Sequence, residues 1–159
     1  MDLAAIVQQC TPPNVSPQTM HAIMRVESAH TPTAIGYKII RKDGTVYTLQ
    51  KQPSTREQAI TWAKWFEQNG YAFDAGISQV NSKNFKKYGL TIETVFDPCK
   101  NINAGARILT ECYARALPRY SNNEQLALRA AMSCYQSGNF STGFSTGYVG
   151  KVVKVALGG

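Results

Sequence analysis

Residues 15–28, VSPQTMHAIMRVES, form the stretch that decides the fold, and they predict a helix with one apolar face. Ser16 is a suitable N-cap, and Pro17 fits the first helical position because an N–H there would lack a partner anyway. At the spacing i, i+3, i+4, i+7, one face of this helix carries Met20, Ile23, Met24 and Glu27. The apolar face therefore ends in an acid.

Glu27 is the one residue on this face whose side chain can carry a charge. Burial opposes the charged carboxylate, and so does the negative end of the helix dipole, so both raise the pKa of Glu27 above the usual value of about 4.3. A carboxyl group that keeps its proton near neutral pH can act as a general acid. The alternative is that Glu27 only borders the apolar face and reaches water, paired with Arg25 or with a loop.

Length and composition indicate one globular domain. The chain has 159 residues, of which 43% are hydrophobic and 17% charged, and no apolar run approaches the length of a membrane span. The first residues lack the basic segment of a signal peptide, so we expect either a cytoplasmic chain or a mature domain without its leader. The net charge of +7 favours anionic partners. The basic residues are scattered, however, and no clustered cationic face indicates nucleic-acid binding.

The cysteines and histidines do not form a metal-binding pattern. There is no C-x-x-C motif, and His21 and His30 are not at zinc-ligand spacing, so we expect no metal site.

The four cysteines permit two disulfides in three connectivities: Cys10, Cys99, Cys112 and Cys134. Cys99 and Cys112 lie on one predicted helix, roughly 20 Å apart along its axis, which is too far for a bond. If the next helix returns antiparallel and brings Cys134 level with Cys99, the expected pairs are 10–112 and 99–134. Four buried free thiols are the alternative.

Capping patterns and hydrophobic periodicity predict six helices. Two of their starts carry a capping box, formed by Ser54 with Glu57 and by Ser121 with Glu124. The predicted helices run from 3 to about 9, from 17 to before Pro32, from the first box to Gly70, and over 98–117, 122–135 and 148–157. A Gly/Ser/Thr-rich loop is expected at 137–147.

One β-hairpin is predicted among these helices. Asp43-Gly44 lies between runs of β-branched and aromatic residues at about 35–50, which is a strong hairpin pattern. We therefore expect a single domain over 1–159, mainly α, with this hairpin as an insertion.

The segment GISQVN at 76–81 has the residue types of a carbohydrate site. Ile77 and Val80 can anchor the backbone, while Ser78, Gln79 and Asn81 present uncharged donors and acceptors. Amides suit sugar hydroxyls and N-acetyl groups because they both donate and accept. The alternative is a turn whose polar groups are satisfied internally.

Tyr135 stands at the end of a predicted helix, before small polar residues. Its hydroxyl could hold a carboxylic acid in place, or it could be the wet tip of an ordinary core tyrosine.

Four segments together resemble the lytic transglycosylase (SLT) domain of the lysozyme-like superfamily, and the closest resemblance is to the branch encoded with type IV secretion and conjugation systems. Val26-Glu27-Ser28 is similar to its Glu-Ser motif, residues 76–81 to Gly-Leu-x-Gln-Ile, residues 97–105 to Asp-Pro-x-x-Asn-Ile-x-x-Gly, and residues 134–138 to Ala-Tyr-Asn-x-Gly. Cys134 stands in place of the alanine, and Gln136 in place of the asparagine, whose role is not carried over. The motifs occur in family order over nearly the whole chain.

The resemblance implies an α+β lysozyme-like fold and cleavage of the β-1,4 bond between N-acetylmuramic acid and N-acetylglucosamine in peptidoglycan. Glu27 would act first as acid and then as base, which closes a 1,6-anhydro ring. Substrate binding is implied for Ser28, Ser78, Gln79, Asn81 and Tyr135, the last by orienting Glu27. The resemblance also implies a periplasmic monomer without cofactor, whose leader has been removed and whose partners are glycan strands and components of a type IV secretion system.

A second carboxylate would change the expected product, because ordinary glycosidases use two. Asp97 is better explained as a helix N-cap, whereas Asp74 is close in sequence to the expected groove. If Asp74 faces Glu27, a hydrolytic muramidase becomes the alternative. A peptidoglycan-binding scaffold without activity is the other.

Overall fold

The computed structural model describes residues 2–37, 39–40, 42–44, 46–47, 49 and 51–158. The helices are α1 Leu3–Cys10, α2 Pro17–Ser28, α3 Arg56–Gln68, α4 Pro98–Arg119, α5 Glu124–Ser137, α6 Thr142–Ser145 and α7 Tyr148–Ala156. Short strands are β1 Ile35–Gly36, β2 Ile39–Ile40, β3 Val46–Tyr47, β4 Asp74–Ala75 and β5 Val80–Asn81, and the 3-10 helix Ser82–Asn84 follows β5. The predicted mainly helical fold is confirmed. Over the described ranges, no helix combines the length and apolarity needed to cross a membrane.

Most predicted helix starts are found, but two capping residues differ. Asp97 caps α4 by accepting from the Lys100 N–H, as expected. Thr55, one residue after the predicted Ser54, caps α3. Asn123 caps α5 instead of Ser121, because Ser121 belongs to the preceding turn with a left-handed φ of 56°. The short helix α6 lies inside the predicted loop at 137–147.

The described residues form two small antiparallel sheets, of which the sequence predicted one. In the predicted hairpin, β2 pairs with β3 in the register Ile39↔Tyr47 and Ile40↔Val46. Positions 38, 41, 45, 48 and 50 of that hairpin lie outside the described residues. The second sheet has the order β1-β4-β5. It brings 35–36 beside 74–75 and 80–81, and strands of two residues are too short to show an alternating pattern.

The hydrophobic core has two main parts. The larger lies among α1, α2, α4, α5 and α7, and it buries Met20, Ile23 and Met24 completely, so the predicted apolar face of α2 is confirmed. The smaller surrounds Phe66 and Phe73, whose rings stack 5.5 Å apart beneath the three-stranded sheet. Because α7 packs against α2, the last helix reaches the end of the Glu27 helix.

The disulfide pairing expected from the sequence is wrong. Cys10 is bonded to Cys99 and Cys112 to Cys134, with Cα–Cα distances of 5.2 Å and 5.8 Å. The helix α5 has 14 residues, about 21 Å, while α4 has 22, about 33 Å. The returning α5 therefore comes level with the second half of α4 and does not reach Cys99, which instead meets the end of α1. Neither pair joins Cys99 to Cys112, as the helix geometry required.

Candidate functional site

A cleft of about 520 Å³ runs along one face of α4, between the three-stranded sheet and the end of α5. The predicted site residues that line it are Glu27, Gln79, Asn81 and Tyr135. Asp74 and Gln136 line it as well. The cleft thus contains the one acid that the sequence placed on an apolar face, together with the amide side chains of Gln79, Asn81, Asn84 and Gln136.

Glu27 stands in the last turn of α2, directly after the buried part of that helix. Burial raises the pKa of Glu27 from an ordinary value near 4.5 to about 7, the hydrogen bond from Tyr148 lowers it, and the negative charge of Asp74 raises it. Close to neutral pH this group therefore exists in both protonated and ionised forms, which a residue acting in turn as acid and base requires.

Tyr148 supplies the side-chain contact to Glu27 that sequence reasoning missed. Its hydroxyl donates to Glu27 Oε2 at 3.0 Å, across 121 residues of sequence. Burial is the largest cause raising the pKa of the Tyr148 phenol, so this group remains a donor. In the sequence analysis Tyr148 is only the first residue of the predicted helix 148–157, and no local spacing relates it to Glu27.

Tyr135 lies in the same part of the cleft but has a different partner. Its hydroxyl donates to the carbonyl of Ser78 at 2.6 Å. Burial raises the pKa of the Tyr135 phenol well above its usual range, and the charge of Glu27 raises it further. The Tyr135 hydroxyl thus donates to the backbone, and the hydrogen bond to Glu27 comes from Tyr148.

Ser28 and Ser78 are located behind the cleft and not in its lining. Ser28 Oγ donates to the Ile77 carbonyl at 2.7 Å, which ties the end of α2 to the 76–79 turn. Ser78 is fully buried, and its N–H donates to Asn101 Oδ1 at 2.7 Å. Both serines thus support the backbone around the site.

Asn101 is the asparagine of the Asp-Pro-x-x-Asn-Ile motif, and the sequence analysis gave it no separate role. It is fully buried on α4, and its amide donates to the carbonyls of Ala75 and Val95 at 2.9 Å and 2.8 Å. A Cβ on Gly76, whose φ is 85°, would come within 2.1 Å of Asn101 Nδ2. This close approach explains why the turn begins with glycine.

The amides of the cleft are already partly engaged. Gln79 Nε2 donates to the carbonyls of Ala34 and Gly76 at 3.1 Å and 2.9 Å. Asn81 Nδ2 donates to Asp74 Oδ1 at 3.0 Å. Burial raises the pKa of Asp74, and the Asn81 amide partly offsets this. Asp74 therefore lies in the same cleft as Glu27, close enough for its charge to act on the acid.

The outer part of the cleft, away from Glu27, has a different character. Lys87 Nζ and Glu111 Oε2 are 2.8 Å apart, and the Tyr88 hydroxyl donates to the same carboxylate oxygen. One turn further along α4, Arg115 lies over the disulfide between Cys112 and Cys134. In the part of the chain that the structure describes, no three acidic, cysteine or histidine side chains gather as metal ligands.

Comparisons with known proteins agree with the motifs. The family described as Transglycosylase SLT domain matches residues 5–154. The chain is 47% identical over 156 residues to the type IV secretion system protein virB1 of Brucella suis biovar 1, covering 95% of this chain and 62% of that protein. It is 34% identical over 149 residues to protein virB1 of Agrobacterium fabrum, covering 94% of this chain and 57% of that protein.

The chain spans about three fifths of the length of these curated relatives. No solved structure gives a significant match to it.

Proposed function

The chain belongs to the transglycosylase SLT family, and we propose that it cleaves the β-1,4 bond between N-acetylmuramic acid and N-acetylglucosamine in peptidoglycan, forming a 1,6-anhydro product. The observation that carries the proposal is Glu27: a carboxyl group in the wall of an open cleft, with its pKa raised to about 7 by burial.

In the first step, protonated Glu27 gives its proton to the glycosidic oxygen while the bond from muramic C1 to that oxygen breaks. Positive charge develops on the sugar ring, and the newly formed Glu27 carboxylate lies close to it. The Tyr148 hydroxyl donates to this carboxylate and stabilises it as the proton leaves.

In the second step, the Glu27 carboxylate takes the proton of the muramic C6 hydroxyl. The C6 oxygen bonds to C1, which closes the anhydro ring and returns Glu27 to its acid form. No water is consumed, and one carboxyl group performs both proton transfers. Because Glu27 loses a proton in the first step and regains one in the second, a pKa near neutrality suits this residue.

Mass spectrometry of the products of isolated sacculi tests this reaction. The wild-type chain is expected to release anhydromuropeptides, which are 18 mass units lighter than the corresponding reducing-end muropeptides. Absence of any soluble product would contradict cleavage and favour the peptidoglycan-binding scaffold.

Hydrolysis is the second candidate, and one observation favours it. Asp74 lies in the cleft with Glu27, and its charge acts on Glu27. A carboxylate opposite the acid could activate water, as in glycosidases that use two carboxyl groups. In that case the products have reducing ends, and Asp74→Asn abolishes them. If anhydro products predominate and persist in Asp74→Asn, the hydrolytic role is excluded.

We also propose that the chain opens the cell wall locally for a type IV secretion apparatus, as a periplasmic monomer. The printed name of the Brucella relative, type IV secretion system protein virB1, supports a role with that apparatus, and the two disulfides are typical of an oxidising compartment. Cross-linking in cells that contain the apparatus, followed by identification of the captured proteins, tests this. Capture of glycan strands alone would contradict an assembly role.

A further inference from the structure

Trp65 and Tyr71 form an exposed aromatic pair outside the cleft. Their rings stack with centroids 6.0 Å apart and planes 27° from parallel, and the two residues remain 40% and 41% exposed. A single exposed aromatic residue needs no explanation, whereas two in contact leave a continuous apolar surface in water. Folding alone does not account for two large rings that remain in solvent, because burial would be more favourable.

The aromatic pair is held in a fixed position by its neighbours. Trp65 projects from α3, and its ring makes T-shaped contacts with Trp62 at 5.9 Å and with the buried Phe66 at 5.3 Å between centroids. Tyr71 follows the end of this helix, where its N–H donates to the Phe66 carbonyl at 2.9 Å. A surface whose side chains are already ordered loses little conformational entropy when it binds a ligand.

A second pocket, of about 960 Å³, lies beside this pair and has Tyr71 in its lining. The polar residues of the lining include an amide, two hydroxyls and charged side chains of both signs: Gln68, Ser82, Thr91, Lys64, Glu67, Lys83, Lys86 and Glu93. Because both signs of charge are present, charge alone does not select the ligand. An aromatic surface beside amide and hydroxyl groups suits a polar ligand that also has apolar faces.

Lys83 connects the second pocket to the cleft, because this residue lines both. Asp74 lines the cleft, and Phe73, its neighbour in the chain, lines the second pocket. Tyr71 precedes Asp74 by three positions, so their Cα atoms are at most about 11 Å apart. A polymer that leaves the cleft across Lys83 therefore reaches the aromatic pair.

The sugars of a glycan strand combine the two properties that this surface can recognise. A pyranose ring presents C–H groups on its faces, which pack against the electron-rich face of an aromatic ring, and it presents hydroxyl and N-acetyl groups at its edge, which form hydrogen bonds. We propose that Trp65 and Tyr71 form a second sugar-binding surface, which holds the peptidoglycan strand beyond the sugars that occupy the cleft. This inference rests on the proposed function, since the cleft must bind the same strand.

Tryptophan fluorescence observes this surface directly, because the chain contains two tryptophans, Trp62 and Trp65, and neither lines the cleft. The full chain carrying Glu27→Gln is titrated with soluble, uncross-linked peptidoglycan strands, so that binding is measured without cleavage. The emission is expected to shift to shorter wavelength as sugars replace water over the Trp65 ring. Adding Trp65→Phe should remove most of this shift.

Calorimetric titration measures the contribution of the surface to affinity. Long strands are compared with short fragments that fit inside the cleft, again with Glu27→Gln. Adding Trp65→Ala or Tyr71→Ala should weaken the binding of long strands about tenfold each, since aromatic anchors dominate such contacts. The affinity for short fragments should stay unchanged. Tyr71 lies outside the helices, so its replacement leaves α3 intact.

Phe144 provides the matched control, because it is a similarly exposed aromatic residue, on α6, that lines neither the cleft nor the second pocket. Adding Phe144→Ala should preserve the affinity for long strands. Thermal unfolding of each variant checks that the fold is intact.

Unchanged emission while strands are bound, or long-strand affinity that survives both Trp65→Ala and Tyr71→Ala, would overturn the inference and leave the surface to a protein partner. Failure of the proposed function is recognised differently: the wild-type chain would bind long strands through Trp65 and release no product from sacculi.

Discussion

Two glutamates line the same cleft, one at each end, and their surroundings give them opposite properties. Glu27 lies at the inner end, where burial raises its pKa to about 7. Glu111 lies at the outer end, exposed, where the hydrogen bond with Lys87 is the largest cause lowering its pKa and the Tyr88 hydroxyl adds to it. The same side chain thus retains its proton up to about neutral pH in one place and ionises more readily than usual in the other.

The difference shows that the helix face decides the chemistry. Glu27 follows three fully buried residues at helical spacing on α2, whereas Glu111 projects from the exposed side of α4 beside a lysine. Having a glutamate in the cleft is therefore insufficient for acid catalysis, because the proton must also be retained.

The largest expected effect comes from replacing each glutamate by glutamine. Glu27→Gln should lower the rate of muropeptide release about a thousandfold, near 4 kcal/mol of barrier, because an amide cannot deliver a proton. Glu111→Gln should lower it less than tenfold. Rates on isolated sacculi measure both, and a comparable loss in the two variants would show that the two ends are not distinct.

The free energy of unfolding should depend on pH because Glu27 retains its proton in the folded state. A Glu27 that titrates near 7 when folded and near 4.5 when unfolded binds more protons in the folded state, so stability falls as pH rises between these values. Relative to Glu27→Gln, the wild-type chain should lose about 3 kcal/mol of unfolding free energy between pH 4 and pH 8. Urea unfolding at the two pH values, with disulfides intact, measures this. Parallel curves would mean that Glu27 is solvated.

Tyr148→Phe should increase the difference in pKa between Glu27 at the inner end and Glu111 at the outer end. The Tyr148 hydroxyl lowers the pKa of Glu27, so its removal should raise that pKa and move the alkaline limb of kcat/KM to higher pH. Loss of one hydrogen bond corresponds to about 1 kcal/mol. Tyr113→Phe, whose side chain does not line the cleft, serves as control and should leave the limb in place. A limb that moves to lower pH would contradict the role of Tyr148.

The smallest effect is expected at the outer end. Lys87→Gln removes the partner of Glu111, but an exposed pair contributes little to folding because solvent screens it. The midpoint of thermal unfolding should remain within experimental error of the wild-type value. A clear decrease would show that this pair holds α4 against the segment after the sheet.

The helical part of the fold was accessible from sequence because its determinants are local. Pro17, the spacing of the apolar residues on α2 and the Asp97 cap each act within a few residues. The predictions that were wrong or missing concern contacts between residues that are far apart in the sequence. The disulfide pairing depended on the relative lengths of α4 and α5, and the three-stranded sheet joins two-residue segments that are about 40 positions apart.

The candidate site likewise divides into residues that local sequence identified and residues whose contacts depend on distant parts of the chain. Glu27 was identified from its own helix, and Gln79 and Asn81 from the residue types of one turn, and all three line the cleft. Ser28 and Ser78 were expected in the cleft because they occur in the same motifs, yet Ser28 Oγ donates to the Ile77 carbonyl and Ser78 is fully buried behind the lining. Tyr148 could not be recognised, since its relation to Glu27 exists only after α7 packs on α2.

The separation of 121 positions between Glu27 and Tyr148 has a consequence for how the protein folds. A polypeptide that emerges amino-terminus first presents the acid 121 positions before the hydroxyl that contacts it. Until α7 docks, the side chain of Glu27 lacks this neighbour and part of the apolar cover that retains its proton. The surroundings that set the pKa of Glu27 are therefore complete only after residues 148–156 have been synthesised and α7 has docked on α2.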